Sequence, residues 1–406
     1  MKILLAHKFC YGRGGADVFF LETGKVLQER GHEIAYFSTI DERNLKVGSV
    51  TKFVNPPEYQ DRSLLKRIRA LPKIIYSRDA KAQFEQLLKS FAPDIVHAFH
   101  IYTHLSPSIL DACRDAGVPV VMSLNDYKHI CPNYKLYHSG STCEDCKNGK
   151  FYWAALNRCC QNSLAFSIGS TIEAYVHAAL DIYKKNIHTF LFASKFMANK
   201  TEEFWGKNTF RWSLLRNPFD ISVITPCKEY DNYFLYFGRF SEEKGVHVLL
   251  EAMQFLKAVH LVLVGEGPQM LQLKALTLKY NLLNVEFVGP KWGKDLEGFL
   301  HKSRFVVVPS IWHENFPYVI LQSFAAGKTV IGTDHGGIPE LVRHGRFGLI
   351  CPALNPSALA EAIRQLWNNP DAAVSMGLQA REYVEQEFSY TRYYEDLIKI
   401  YGKAIQ

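Results

Sequence analysis

No run of about 18 or more uncharged apolar residues, the length a membrane-crossing helix needs, occurs in the 406-residue chain. The N-terminal apolar stretch, Ile3 to Ala6, is too short for the core of a secretory signal. A buried strand accounts for it better. With both signals missing, a cytoplasmic protein is expected, its nine cysteines in a reducing compartment. Internal repeats and low-complexity segments are missing too. An acidic excess is also lacking: the formal net charge is +7. Residues 1–220 hold 29 Lys and Arg against 21 Asp and Glu, whereas residues 221–406 hold 18 against 19. The basic half points to an anionic partner, such as a phospholipid surface, a phosphorylated acceptor or nucleic acid. Nucleic acid is the weakest of these, because no recognised binding module and no basic–aromatic stacking pattern is present.

What is present is a chain too long for one core, so two or three domains are expected. Short apolar runs alternate with helical patterns. Strands are expected at Lys2–Ala6, Glu33–Phe37, Ile95–Ala98, Val118–Leu124 and Phe190–Ala193. The second half repeats the rhythm at Tyr233–Phe237, Leu261–Val264, Val285–Phe287, Phe305–Val308, Thr329–Gly332 and Gly348–Ile350. Such alternation implies α/β architecture, with two Rossmann-like, doubly wound parallel sheets. The change falls near Asn217-Pro218-Phe219-Asp220, so domains are expected at 1–218 and 228–387. The last helical pattern, about 388–406, is expected to pack back on the first domain.

Gly12-Arg13-Gly14-Gly15 lies between the first strand and a helix N-terminus. Glycines there let backbone N–H groups approach an anion. The third glycine of a dinucleotide fingerprint is replaced by Asp17. Contact of Gly14 and Gly15 with a phosphate or an acceptor, a plain turn and a nicotinamide site all stay open, the last least favoured.

In the second half, Gly238-Arg239 follows a strand and Lys244-Gly245 opens a helix. Two cations so spaced can face one diphosphate, Arg as a fork and Lys as a point charge. Gly265-Glu266-Gly267-Pro268 is a tight turn after a strand. Then come Glu314-Asn315-Phe316-Pro317-Tyr318-Val319-Ile320-Leu321-Gln322 and Gly336-Gly337-Ile338-Pro339-Glu340. The stretch from Glu314 to Gln322 resembles the E-x7-E motif of family 4 glycosyltransferases, and the flanking motifs match that family in order and spacing.

The resemblance implies a GT-B fold, two Rossmann-like domains with a cleft between them, and retaining transfer of a hexose-type sugar from a nucleoside-diphosphate sugar. It implies an acceptor hydroxyl on a glycan or lipid-linked glycan, in surface polysaccharide or glycolipid assembly, and no catalytic metal. The donor, UDP-sugar among others, is expected on Gly238, Arg239, Lys244, Gly265, Glu266, Gly289, Glu314, Asn315, Phe316, Pro317, Tyr318, Val319 and Gln322. Physics supports those roles, since a leaving diphosphate without a divalent ion needs fixed cations and backbone N–H groups. Gln322 departs from the family's second acid. Its amide still accepts a hydrogen bond from ribose but carries no charge.

Family members resemble H-x-H where this chain has His97-Ala98-Phe99-His100, so the sugar-contacting role falls on His97, on His100, or on neither. Asn125-Asp126 follows a strand, where α/β domains bind ligands, and Asp126 is a candidate for the acceptor hydroxyl.

Five cysteines crowd an insertion at about 127–162. Cys131, Cys143, Cys146 and Cys159, with Cys160 as alternate, have spacing suited to tetrahedral zinc. Reduced thiols and disulfides stay open beside structural zinc. From Arg62 to Lys89 eight basic residues face two acidic ones. An amphipathic helix of this kind either lies on an anionic membrane, making the protein peripheral there, or is solvated with its stripe in the core.

Overall fold

The computed structural model describes residues 1–12, 14–48, 50–58 and 64–406, the side chains of 64–69 excepted. Arg13 and Arg62 lie outside the described residues. The strands run β1 Lys2–Ala6, β2 Glu33–Thr39, β3 Val50–Val54, β4 Ile95–Ala98, β5 Val120–Leu124, β6 Tyr137–His138, β7 Ser141–Thr142, β8 Thr189–Phe192 and β9 Trp212–Leu214. They continue β10 Phe234–Phe237, β11 Leu261–Val264, β12 Val285–Gly289, β13 Val306–Val308, β14 Val330–Thr333 and β15 Gly348–Cys351. The chain forms two compact units. One holds residues 1–136, 144–218 and 390–406; the other holds 137–143 and 219–389.

The first unit carries a seven-stranded parallel sheet, order β3-β2-β1-β4-β5-β8-β9. Successive side chains alternate between faces, so Ile3 and Leu5 enter one core cluster and Leu4 and Ala6 the other. Helices cover both faces, which is why these strands are continuously apolar. The C-terminal helix, Tyr390–Ile405, belongs to this unit. It buries Tyr393, Leu397, Ile400 and Tyr401 against Ile3, Phe19 and Phe99. Those positions fall on one helical stripe.

The second unit repeats the plan with six parallel strands, order β12-β11-β10-β13-β14-β15. Both sheets reverse their strand order after the first strand, between β1 and β4 and between β10 and β13. In open α/β sheets ligands bind beyond the carboxyl ends of strands at such a reversal. The two-stranded hairpin β6–β7 is antiparallel and stands apart from both sheets. Tyr137 from this hairpin packs with Val248 and Ile311. The α/β class with two Rossmann-like sheets is thus present as the residue pattern implied. Strands β3, β9 and the hairpin are additional to the strands the sequence suggested.

Candidate active site

The reversal in the second sheet sets two loops side by side. One follows β10 and carries Gly238, Arg239, Lys244 and Gly245. The other follows β13 and carries Ser310 and Glu314. Gly245 adopts φ +69°, and an added Cβ would lie 1.9 Å from the Pro309 carbonyl oxygen. Only glycine lets the two loops approach this closely. The consequence is direct contact between their side chains. Lys244 Nζ donates to Glu314 Oε1 at 2.6 Å, and Ser310 Oγ donates to the same oxygen at 2.8 Å. Glu314 is buried, whereas Lys244 is partly open. Lys244 also lies over the Trp312 ring, 5.6 Å from its centroid. Arg239 is exposed, and its guanidinium makes no ion pair among the described residues.

A third loop completes the edge. Gly336, at φ +64°, passes so close to Glu314 that a Cβ there would sit 2.2 Å from the Glu314 carbonyl oxygen. The neighbouring Gly337 N–H donates to that oxygen at 2.6 Å. Gly265 and Glu266 follow β11, and Gly289 ends β12. Asn315, Phe316 and Pro317 lead into the helix Tyr318–Ala325, which bears Val319 and Gln322. Phe316 packs on Phe388 with ring centroids 5.7 Å apart. The donor-binding positions expected from the sequence therefore lie along the carboxyl edge of this one sheet or on the helix next to it. A buried carboxylate, one ion-paired lysine and one exposed arginine suit a neutral polyol attached to a dianion. A carboxylate is able to accept hydroxyl hydrogen bonds, and fixed cations are able to balance phosphate charge.

The first sheet's reversal holds a different chemistry. His7 follows β1 and is fully buried. Its Nδ1 accepts the His100 backbone N–H at 3.2 Å, so the ring proton is on Nε2 and is donated to Asp17 Oδ1 at 2.8 Å. Burial lowers the His7 pKa to about 4, against the opposing pull of Asp17. Burial, the largest single influence, pushes the Asp17 carboxyl upward, but the hydrogen bond from His7 and the positive charge of His7, Lys8 and His100 together outweigh it and the net shift is downward. His100 stacks on His7, ring centroids 5.7 Å apart. Its Nε2 faces Asp126 Oδ2 at 3.5 Å. The other Asp126 oxygen accepts the Lys128 backbone N–H at 3.0 Å. Asn125 stands beside it, and Gly14 and Gly15 open the helix Gly15–Glu29 as exposed residues.

His97 is placed differently from His100. It is buried with both nitrogens engaged, Nδ1 with Tyr401 Oη at 2.7 Å and Nε2 with Ser123 Oγ at 2.8 Å. Phe99 stacks on it at 4.1 Å. Burial lowers its pKa to about 3. Of the two histidines, His100 is the one beside Asp126. The sequence motifs did not point to the buried pairing of His7 with Asp17. The available signal was Asp17 standing in a glycine slot ten residues after a histidine that directly follows a strand.

The cysteines form no disulfide. No group of three or more His, Cys, Asp or Glu placed to hold a metal ion occurs among the described residues. Cys143 belongs to the unit containing the hairpin, while Cys131, Cys146, Cys159 and Cys160 belong to the other. No helix among the described residues is long and apolar enough to cross a membrane.

Residues 13–222 match the sequence family described as Glycosyltransferase Family 4, and residues 220–383 match Glycosyl transferases group 1. An uncharacterised glycosyltransferase of Methanocaldococcus jannaschii is 32% identical over 42% of this chain, and the aligned segment spans 48% of that relative. A 42.6 kDa protein of the Klebsiella pneumoniae cps region is 26% identical over 84% of this chain and 88% of its own length. Among solved structures, sucrose-phosphate synthase of Thermosynechococcus elongatus superposes with TM-score 0.75 at 19% identity, over 99% of this chain and 98% of that one. Anabaena HepE in complex with UDP gives TM-score 0.70 at 17% identity, over 99% and 100%. Together the family matches run from residue 13 to residue 383, the first over more than half of the chain, and the chain belongs to glycosyltransferase family 4.

Proposed function

We propose that the chain transfers a hexose-type sugar, with retention of anomeric configuration, from a nucleoside-diphosphate sugar to a hydroxyl of a glycan or lipid-linked glycan. The carrying observation is the Lys244–Glu314–Ser310 contact at the strand-order reversal of the second sheet, with exposed Arg239 on the same loop. In this reading Glu314 accepts hydrogen bonds from donor-sugar hydroxyls, and Lys244 and Arg239 balance charge on the departing diphosphate. Backbone N–H groups near Gly336 and Gly337 add to that balance. Gln322 accepts from ribose. Charge balance by fixed cations makes a divalent ion unnecessary for the step. The bond from the anomeric carbon to the diphosphate oxygen breaks, the bond to the acceptor oxygen forms, and the acceptor proton passes to the departing phosphate.

On the acceptor side, Asp126 and His100 are proposed to contact the hydroxyl, with Asn125, Gly14 and Gly15 nearby in the same unit. His97 supports that edge from within the core. UDP is the first base to test, because the Anabaena protein HepE, alike in fold, is described in complex with UDP and with UDP-glucose. Surface polysaccharide assembly is the proposed setting, in line with relatives named for colanic acid and O-antigen synthesis. There the protein works at the cytoplasmic face of a membrane, held peripherally.

Thermal shift with UDP, GDP, ADP and TDP identifies the base, since a bound ligand raises apparent stability by mass action. Radiolabelled transfer to a lipid-linked acceptor pool, with and without EDTA, then tests the reaction. Donor binding with no transfer to any acceptor would leave only a sugar-nucleotide binder. Structural zinc on Cys131, Cys143, Cys146 and Cys159 rests on sequence spacing alone. One zinc per purified chain supports it, and none removes it.

A further inference from the structure

Helix Leu164–Ala179 is inverted relative to an ordinary surface helix. Its one Asp, Glu, Lys or Arg is Glu173, which is 3% exposed and paired with Lys128 at 2.8 Å. The outward face is apolar. Leu164, Ile168, Ile172 and Tyr175 are between 41% and 49% exposed. Their spacing of four, four and three residues makes one continuous stripe. A helix facing water normally places its charged residues on that side.

The stripe continues onto the preceding helix, Tyr152–Leu156. Tyr152, Trp153 and Leu156 are all exposed there. The two helices meet at Tyr175, whose hydroxyl accepts the Tyr152 backbone N–H at 3.3 Å and whose ring meets Phe151 edge-on at 5.3 Å. Seven exposed large apolar or aromatic side chains thus share one patch. Contiguous patches of that kind mark an interaction surface.

Charge on the adjoining helix selects the partner. Helix Leu64–Ile75 packs against Leu164–Ala179, and its Ile75 carbonyl oxygen accepts from His177 Nε2 at 2.8 Å. Its sequence contains Lys66, Arg67, Arg69 and Lys73 and no Asp or Glu. In the chain Lys150 and Arg158 bracket the helix Tyr152–Leu156 and make no ion pair among the described residues, whereas Lys147 pairs with Glu144 and Glu203, Lys184 with Asp181 and Lys185 with Asp111, and Asp145 accepts from Asn157 at 3.1 Å. Aromatic and aliphatic side chains flanked by basic residues match the interface of an anionic bilayer. There Trp and Tyr favour the headgroup level and Lys and Arg face acidic lipids.

We propose that the apolar face of Tyr152–Leu156 and Leu164–Ala179, together with the basic helix beside it, docks on an anionic phospholipid surface. This deepens the peripheral-membrane reading above by adding an inserting apolar face to the basic stretch. Vesicle binding involves no transfer step, so its failure is separable from failure of the transferase assignment.

The test is flotation of the full chain with phosphatidylglycerol-containing vesicles and with pure phosphatidylcholine vesicles. Wild-type protein is expected to float with the anionic vesicles and only weakly with the neutral ones. The double variant Ile168→Glu/Ile172→Glu is expected to lose roughly tenfold or more in partition. Its thermal transition and donor binding should be unchanged, because both side chains are exposed and belong to a different compact unit from the proposed donor residues. Leu156→Asp, on the other helix, gives an independent check and is expected to weaken partition in the same direction. Equal flotation of wild type and both variants would overturn the proposal. So would a wild-type dimer that turns monomeric in the double variant without vesicle binding, since a second copy would then cover the face.

Discussion

The two sheets share a strand order yet end in opposite chemistries. At the reversal of the second, glycines bring loops together so that a lysine and a buried carboxylate meet at 2.6 Å, with an arginine exposed beside them. At the reversal of the first, the charges are largely traded for neutral, buried imidazoles. His7 and His97 both have pKa values lowered by burial. Topology sets where a ligand binds, and the loop residues set which ligand. A fixed-charge edge suits a diphosphate. An edge of neutral hydrogen-bonding rings around Asp126 suits a hydroxyl.

The sharpest way to break the contrast is to remove charge from the second edge. Lys244→Ala is expected to lower the transfer rate about 10²–10³-fold, as loss of one charge-stabilising donor does. Glu314→Ala should cost at least as much and raise the donor KM as well. Steady-state kinetics with the identified donor checks both, and an unchanged rate in Lys244→Ala would remove the charge-balance reading.

The first unit should instead be broken by acid. His7, His97 and His129 have folded pKa values of about 4, about 3 and about 4, below the unfolded value of 6.5, each lowered chiefly by burial. The unfolded chain therefore takes up protons first as pH falls. Stability from these groups is complete above about pH 6.5 and declines as pH drops toward 4. By then each has removed on the order of 3 kcal/mol. Hydrogen exchange followed by mass spectrometry between pH 7 and about 4 is expected to show the first unit opening before the second. Simultaneous opening would mean that the histidines do not set acid stability.

A smaller effect is expected from Asp17. Asp17→Ala leaves the buried His7 Nε2–H without its acceptor and should cost about 1–3 kcal/mol. Asp17→Asn keeps an acceptor oxygen and should cost less than half of that. Urea denaturation of the two variants measures the difference.

The residue pattern revealed the second edge far better than the first, for physical reasons. Close loop approach demands glycine, and diphosphate binding demands cations, so Gly238-Arg239, Lys244-Gly245 and Gly336-Gly337 mark the site in the chain itself. The His7–Asp17 pair is joined only by folding and obeys no spacing rule. The different settings of His97 and His100 follow from strand alternation. Ile95, His97 and Phe99 share the face that the C-terminal helix covers, and Tyr401 reaches His97 from there. The alternation was legible, but the identity of the covering helix's contact was not. Among strands, the strongly apolar central ones were plain. Edge strands β3 and β9 are half-exposed, and the hairpin strands are two residues each, too short for a periodic signal.

Gln322 offers the finest comparison, because it tests whether the second edge needs one carboxylate or two. Gln322 lies on the helix Tyr318–Ala325, partly buried, within its second turn. Gln322→Glu restores an acid where the family's motif has one. A carboxylate accepts hydroxyl hydrogen bonds more strongly than an amide by roughly a factor of two in energy. It also adds a negative charge to the edge proposed to hold a diphosphate. The two effects oppose one another, so the donor KM is expected to change by no more than about threefold, with kcat little altered. A large gain would show that ribose binding in this chain is limited by the missing charge. A large loss would show that Gln322 lies close enough to the diphosphate for its neutrality to matter.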